Sequence, residues 1–250
     1  MTPSALPAVD RDEIARFARQ AERWWDPEGE ARPLHRINPL RLQFIRDRFM
    51  ACFGGDPASL VPFSGLTLID IGCGAGLVAE PMARLGFAVT GSDASVEMLA
   101  AARAHAATAG LAIDYRALTA EALAAEGAAF DAVLALEVIE HVPDADAFLG
   151  AAAALVKPGG ALVVGTLNRT PRSFILGIVA AERVLRWVPP GTHDWRRFRR
   201  ASELAASLRR AGLRLEALAG IGYDPIGGRW TLSRDLAVNY LAFAIRPARS

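Results

Sequence analysis

From Leu66 onward the chain alternates short apolar runs with longer stretches whose apolar residues recur at helical spacing. LTLIDIG, FAVTGSD, LAIDYRA, FDAVLALEVI and GALVVGTLN read as five strands. LVAEPMARLG, SVEMLAAARAHAATAG and DADAFLGAAAALV read as helices between them. Near the end ASELAASLRRAG is a helix, and LRLEALAGI and VNYLAFAIR are two more strands. Strands that alternate with helices build βαβ units and a mostly parallel sheet, here predicted with seven strands. Ahead of this region, residues 10–25 have Asp10 as a cap and Ile14, Phe17, Ala18 and Ala21 at helical spacing. Pro27, Gly29 and Pro33 read as its end, and a second helix is predicted over 38–53. A connector with Gly54, Gly55, Pro57 and Pro62 follows.

The pattern therefore divides the chain into an N-terminal helical segment, 1–65, and an α/β domain, 66–250. One stretch breaks the rhythm. Residues 168–200 are inserted between the fifth strand and the helix that should cover it, and inserts of that length are more often functional than accidental.

Composition narrows the class without naming it. At 250 residues the chain can bury a large core, and 52% hydrophobic with 22% charged residues describes a globular protein rather than a disordered one. A net charge of +1 supplies no global field toward nucleic acid or membrane. Cys52 and Cys73 cannot build a disulfide scaffold, no apolar run is long enough to span a bilayer, and the N-terminus lacks a signal-peptide pattern. The expectation is a cytoplasmic protein.

The chemistry begins at LIDIGCGAGLVAE. Asp70, Gly72, Gly74 and Gly76 fall where a strand turns into a helix, and glycines there let backbone approach a ligand at the helix's positive end. Leu77 stands where a dinucleotide fingerprint would need its third glycine. The spacing D-x-G-x-G-x-G instead resembles the S-adenosylmethionine loop of class I methyltransferases. Asp93 ends the next strand about twenty residues on, where a carboxylate can accept two ribose hydroxyls. The LVKPGG turn resembles the same class.

A second locus is LALEVIEHVPD, which starts as a buried strand and then sets Glu137, Glu140 and His141 within five positions. In a parallel sheet ligands lie beyond the carboxyl ends of the strands, so these three are expected to face the acceptor. Two carboxylates and an imidazole suit Mg2+, Mn2+ or Zn2+, which would lower the pKa of a chelated hydroxyl. Equally, His141 can act as a general base or orient substrate with no metal at all.

The flanks are more specific than the loop. RWWDPEGEARPLHRINPLRLQFI, GTLNRTPRSFILGIVAAERVLRWVPPGTHDW and VNYLAFAIRPA resemble the bacterial ubiquinone-biosynthesis O-methyltransferases, over about Ile14 to Pro247. That resemblance implies a Rossmann-like class I fold and methylation of a polyprenyl catechol and of demethylubiquinol. It implies Arg41, Gly72, Asp93 and Leu136 as cofactor contacts, with Arg41 forked onto the methionine carboxylate and the Leu136 carbonyl facing the ammonium group. It also supports a cation on Glu137, Glu140 and His141, and a place among other quinone-biosynthesis proteins. A C-methyltransferase acting on a related quinone is the nearest alternative, since it would share the loop and the EHVPD stretch. A nicotinamide dehydrogenase lacks support in the glycine spacing, and a nucleic-acid methyltransferase would want a basic groove with interleaved aromatics.

A polyprenyl acceptor lives in the bilayer, and the insert offers a surface to meet it. Residues 169–200 carry eight arginines against Glu182 and Asp194. Phe174, Ile178, Ala181 and Leu185 share one helical face, while Ile175, Leu176 and Val179 lie opposite, beside Arg172, Arg183 and Arg186. Apolar residues ringed by arginines suit an anionic lipid surface, so 170–190 is expected to rest on the inner face of the plasma membrane.

Overall fold

A computed structural model describes residues 24–29, 31–175, 194–224 and 227–248. The expected N-terminal helix, apart from its last two residues, and the middle of the insert lie outside them. The first described helix, α1, covers Arg32–Phe53. It starts six residues earlier than expected because Pro33 sits in its first turn, where a missing N–H costs nothing. Gly54 ends it in a left-handed conformation, φ 73°, that a side chain would strain.

The α/β region then runs β1 (Thr67–Ile71), α2 (Ala79–Arg84), β2 (Ala88–Ser92), α3 (Val96–Thr108), β3 (Asp114–Arg116), α4 (Ala120–Ala125), β4 (Phe130–Leu136), α5 (Ala145–Ala154) and β5 (Val156–Leu167). After the insert come α6 (Pro171–Ser173) at its start, a 3-10 turn (Trp195–Arg197) at its end, α7 (Ala201–Arg210), β6 (Arg214–Asp224), β7 (Arg229–Ser233) and β8 (Asn239–Ile245). The sheet order is β3-β2-β1-β4-β5-β8-β6-β7. The first five strands pair in parallel, as the alternation predicts, and the last three join antiparallel.

The eighth strand, β7, is the one the sequence pattern misses. Only β6 up to Ala219 pairs with β8; from Gly220 it pairs with β7 instead. This hairpin lies at the carboxyl end of β5, because Leu167 of β5 faces Asn239 at the start of β8. Asn239 ties the departure point, its side chain accepting from the Ile221 N–H at 2.8 Å. Trp230 and Leu232 of β7 pack on the same core as α1, so hairpin and helix together wall the carboxyl edge.

Side chains alternate across the sheet and build one core on each face. Leu68, Leu134, Val163 and Phe243 meet α1, α2 and α3; Ile69, Val133, Leu162 and Ala242 meet α4, α5 and α7. Phe49 is the anchor of α1. It has no solvent exposure and its ring meets Phe53, Phe63, Phe87 and Phe243 at 5.5–6.4 Å. Two turns earlier on the same helix stands Arg41, whose position depends on that anchor. Phe49→Ala is expected to cost about 3–5 kcal/mol, the usual range for emptying a buried aromatic site. Urea unfolding checks it, and a loss below about 1 kcal/mol would show that α1 is held elsewhere.

Candidate active site

β1 and β4 are neighbours in the sheet, with β2 and β3 wound to one side and β5 to the other. Such a reversal leaves a crevice above the carboxyl ends of the two strands. The glycine loop occupies one wall. Gly72, Gly74 and Gly76 have φ of 68°, 53° and 92°, a region that side chains rarely adopt. Gly72 has a second reason to lack a side chain: a Cβ there would collide with the Val138 Cγ2 on the opposite wall.

Asp93 holds this loop rather than merely following it. One carboxylate oxygen accepts from the Gly74 N–H at 2.9 Å, and the other from the Ser95 N–H at 2.9 Å. With two oxygens and about four acceptor sites, the carboxylate keeps capacity for a ligand hydroxyl. Gly72 opens the loop, but its N–H is committed to the Ser92 carbonyl at 2.7 Å, with Cys73 N–H sharing that acceptor at 3.0 Å. What Gly72 lends is therefore closeness of approach, not its amide proton.

Across the crevice, Leu136 is the last residue of β4 and nearly buried. The next residue, Glu137, is the single non-glycine with positive φ among the described residues, at 55°. Its N–H is fixed by the Gly165 carbonyl of β5 at 2.9 Å, and the αL turn sends the carboxylate to Arg41, whose Nη2 donates at 2.5 Å. Arg41 is 5% exposed, and its Nε–H has no hydrogen-bond partner. A buried orphan donor on a guanidinium matches a ligand carboxylate, and the spare acceptors on Asp93 match a ribose; the residues present fit adenosylmethionine.

The expected cation site on Glu137, Glu140 and His141 finds no support among the described residues. The chain makes a turn here, with His141 N–H bonded to the Val138 carbonyl at 2.9 Å. Glu140 points inward, accepting from the Thr166 hydroxyl at 2.9 Å, and is almost fully buried. Burial, then the Glu137 charge, pushes its carboxyl up to about 8, so it keeps its proton at neutral pH. Glu137 is already committed to Arg41. Among the described residues no group of three or more His, Cys, Asp or Glu is placed to hold a metal ion.

Asp70, the acid of the loop motif, lies wholly inside, its carboxyl accepting from the Ala79 N–H at the start of α2. Burial first, then the neighbouring Asp93, raises its pKa from 3.8 to about 7. The folded chain thus holds a proton that an unfolded chain releases near 3.8, and stability falls as pH rises between those limits. Asp70→Asn keeps the acceptor for Ala79 and removes the proton. Urea unfolding between about pH 5 and 8 is expected to show a flatter profile for the variant, and an unchanged slope would contradict the assignment.

Sequence reading missed several partners here: Thr166 behind Glu140, Tyr115 beneath Gly76, and the trio Trp25, Glu80 and His105 outside the loop. Glu80, a charge inside the otherwise apolar LVAEPMA, was the one local signal.

Known proteins agree with this geometry. Residues 69–164 match the family described as Methyltransferase domain. The magnesium protoporphyrin IX methyltransferase from Synechocystis PCC 6803 with bound SAH superposes with a TM-score of 0.61 at 19% identity, covering 94% of this chain and 93% of that one. An S-adenosylmethionine-dependent methyltransferase from Clostridium acetobutylicum ATCC 824 gives 0.60 at 13% identity, covering 83% and 91%. At such identities these establish the fold alone, the Rossmann-like class I methyltransferase fold. Sequence relatives reach further: the ubiquinone biosynthesis O-methyltransferase of Methylobacterium nodulans is 51% identical over 247 residues, 99% of each chain. That of Parvibaculum lavamentivorans is 51% identical over 243 residues, 97% of this chain and 96% of its own. With half of its residues shared along its whole length, and the methyltransferase crevice built on a matching framework, the chain belongs to the ubiquinone biosynthesis O-methyltransferase family.

Proposed function

We propose that the protein transfers a methyl group from S-adenosylmethionine to a phenolic oxygen of a polyprenyl catechol and of demethylubiquinol, in ubiquinone biosynthesis. The observation that carries this reading is the 51% identity to ubiquinone biosynthesis O-methyltransferases over essentially the full length. When bound, adenosylmethionine supplies an already activated methyl group, so the protein's task is to place an oxygen in line with it and remove a proton.

The residues divide that task between the two walls. Asp93 accepts the ribose hydroxyls, Gly72 admits the cofactor closely, and Leu136 offers its carbonyl to the ammonium group. Arg41 binds the carboxylate, and Glu137 aims it through their 2.5 Å contact. His141 takes the phenolic proton, whose pKa is about 10 by comparison with tyrosine. Methyl ether formation from a short-chain demethylubiquinol tests the activity. Within that assay Asp93→Ala is expected to raise the KM for adenosylmethionine far more than that for the phenol. His141→Asn is expected to lower kcat by about 10²–10⁴ with the cofactor KM nearly unchanged. Unaltered cofactor affinity in the first variant would remove Asp93 from the site, and full turnover in the second would remove His141.

The acceptor's prenyl tail places the enzyme on the inner face of the plasma membrane, through 170–190. Two residues at the start of that stretch support this: Phe174 and Ile175 are exposed by 45% and 56%. The insert's two ends are clamped together beneath them, Trp195 donating to the Thr170 carbonyl at 3.0 Å and stacking edge-on to Phe174. Arg169 pairs with Glu203 and Arg172 with Asp235, leaving Arg196, Arg197 and Arg200 close by for anionic headgroups. No helix among the described residues is long and apolar enough to cross a membrane. Co-sedimentation with vesicles of anionic lipid is expected to exceed that with neutral lipid, and to weaken with salt and in Phe174→Ser/Ile175→Ser. Equal binding to both vesicle types would refute this placement.

A further inference from the structure

Outside the crevice, the back of the glycine loop carries a contact that no catalytic role accounts for. Trp25 donates its indole N–H to the Ala75 carbonyl at 3.0 Å, across fifty residues of sequence. Its ring lies flat on His105 of α3, with centroids 3.5 Å apart and planes within 5°. His105 in turn meets Glu80 of α2, Nδ1 to Oε1 at 2.7 Å. A carboxylate can only accept, so Nδ1–H is the donor and the tautomer is set.

Glu80 is 2% exposed, and a carboxyl so buried is costly without a donor beside it. The imidazole is thereby fixed in plane, and a fixed plane is what a face-to-face stack needs. The Trp25 indole is held on its face by His105 and aimed at its edge toward Ala75. The neighbouring residue adds to the clamp: the Trp24 ring lies 3.7 Å from where a Gly74 Cβ would be, and its carbonyl accepts from His35 Nε2 of α1 at 2.9 Å.

The consequence falls on one peptide group. The Ala75–Gly76 peptide has its carbonyl taken by Trp25 and its N–H by the Cys73 carbonyl at 2.9 Å, with Gly76 at φ 92°. Without Trp25 that peptide is held on one side only, and a glycine on its C-terminal side gives it room to rotate. We infer that Trp25 is a positioning residue for adenosylmethionine: stacked on His105, itself set by Glu80, it locks the Ala75–Gly76 peptide of the glycine loop in the conformation that receives the cofactor. This rests on the reading of the loop as the adenosylmethionine site.

Trp25→Phe separates the roles, since phenylalanine keeps a ring for the stack and loses the N–H. Calorimetric titration with S-adenosylhomocysteine is expected to show about fivefold to tenfold weaker binding, the effect of one lost hydrogen bond at an ordered loop. The KM for adenosylmethionine should rise by a similar factor while kcat and the KM for the phenol change less than about twofold. The thermal unfolding midpoint of the unliganded variant should fall by no more than about 2–4 °C, the effect of one hydrogen bond in a chain of this size, which separates loop ordering from general collapse. A second variant, His105→Ala, leaves Trp25 its N–H but takes away the surface that aims it, and should weaken cofactor binding in the same direction. Parent-like affinity in Trp25→Phe, or an equal loss in kcat and in both KM values, would overturn the inference. Failure of the unmodified protein to bind S-adenosylhomocysteine would instead overturn the reading of the loop on which it stands.

Discussion

The ion pair between Arg41 and Glu137 is the interaction on which the site depends. It joins α1, which precedes the α/β region in the chain, to the end of β4 in its middle. The arginine is buried, so removing its partner would leave an uncompensated charge, a loss of about 3–5 kcal/mol in comparable cases. The pair also explains the one strained backbone at the crevice. Glu137 adopts positive φ because only that turn brings its carboxylate back to α1 while its N–H stays on β5. Strain of about 1–3 kcal/mol at such a residue persists only where surrounding contacts hold it, as two do here.

From this pair the two walls acquire their different characters. The β1 side is built of backbone, with glycines at positive φ, their amides pinned by Ser92, Asp93 and Cys73, and Tyr115 filling the space beneath. A Cβ on Gly91 would lie 2.6 Å from the Tyr115 ring, so the second strand must also carry a glycine for the loop to sit down. The β4 side is built of side chains with unequal charge. Glu140 holds its proton, Glu137 is compensated, and His141 stands beside them. Such separation of neighbouring titrating groups by environment is how a site obtains distinct acid and base roles near neutral pH.

Much of this was legible locally. The strands from β1 to β5, the glycine loop and Asp93 are written in short runs whose period and punctuation do not depend on distant residues. Pro33 misled because a proline can end a helix or open one, and the residues around it do not say which. β7 escaped because RWTLS is five residues long and its burial comes from α1, far away in sequence. The cation expectation found no support in the fold, and spacing alone could not have shown why. Spacing tells which ionisable groups are near each other in the chain, but not that Arg41 lies 96 residues from Glu137 and claims it, or that Thr166 draws Glu140 inward. Trp25, His105 and Glu80 belong to the same class, three residues on three segments that only the fold makes into one device.

The central claim is that the acceptor atom is a phenolic oxygen, and the position of the transferred carbon decides it. Incubation with adenosylmethionine labelled with carbon-13 in its methyl group and a short-chain demethylubiquinol, followed by carbon NMR of the product, locates that carbon directly. The account requires the label in an aryl methyl ether, coupled to no ring carbon by a single bond. Label on a ring carbon, as a C-methyltransferase would leave it, would contradict the account.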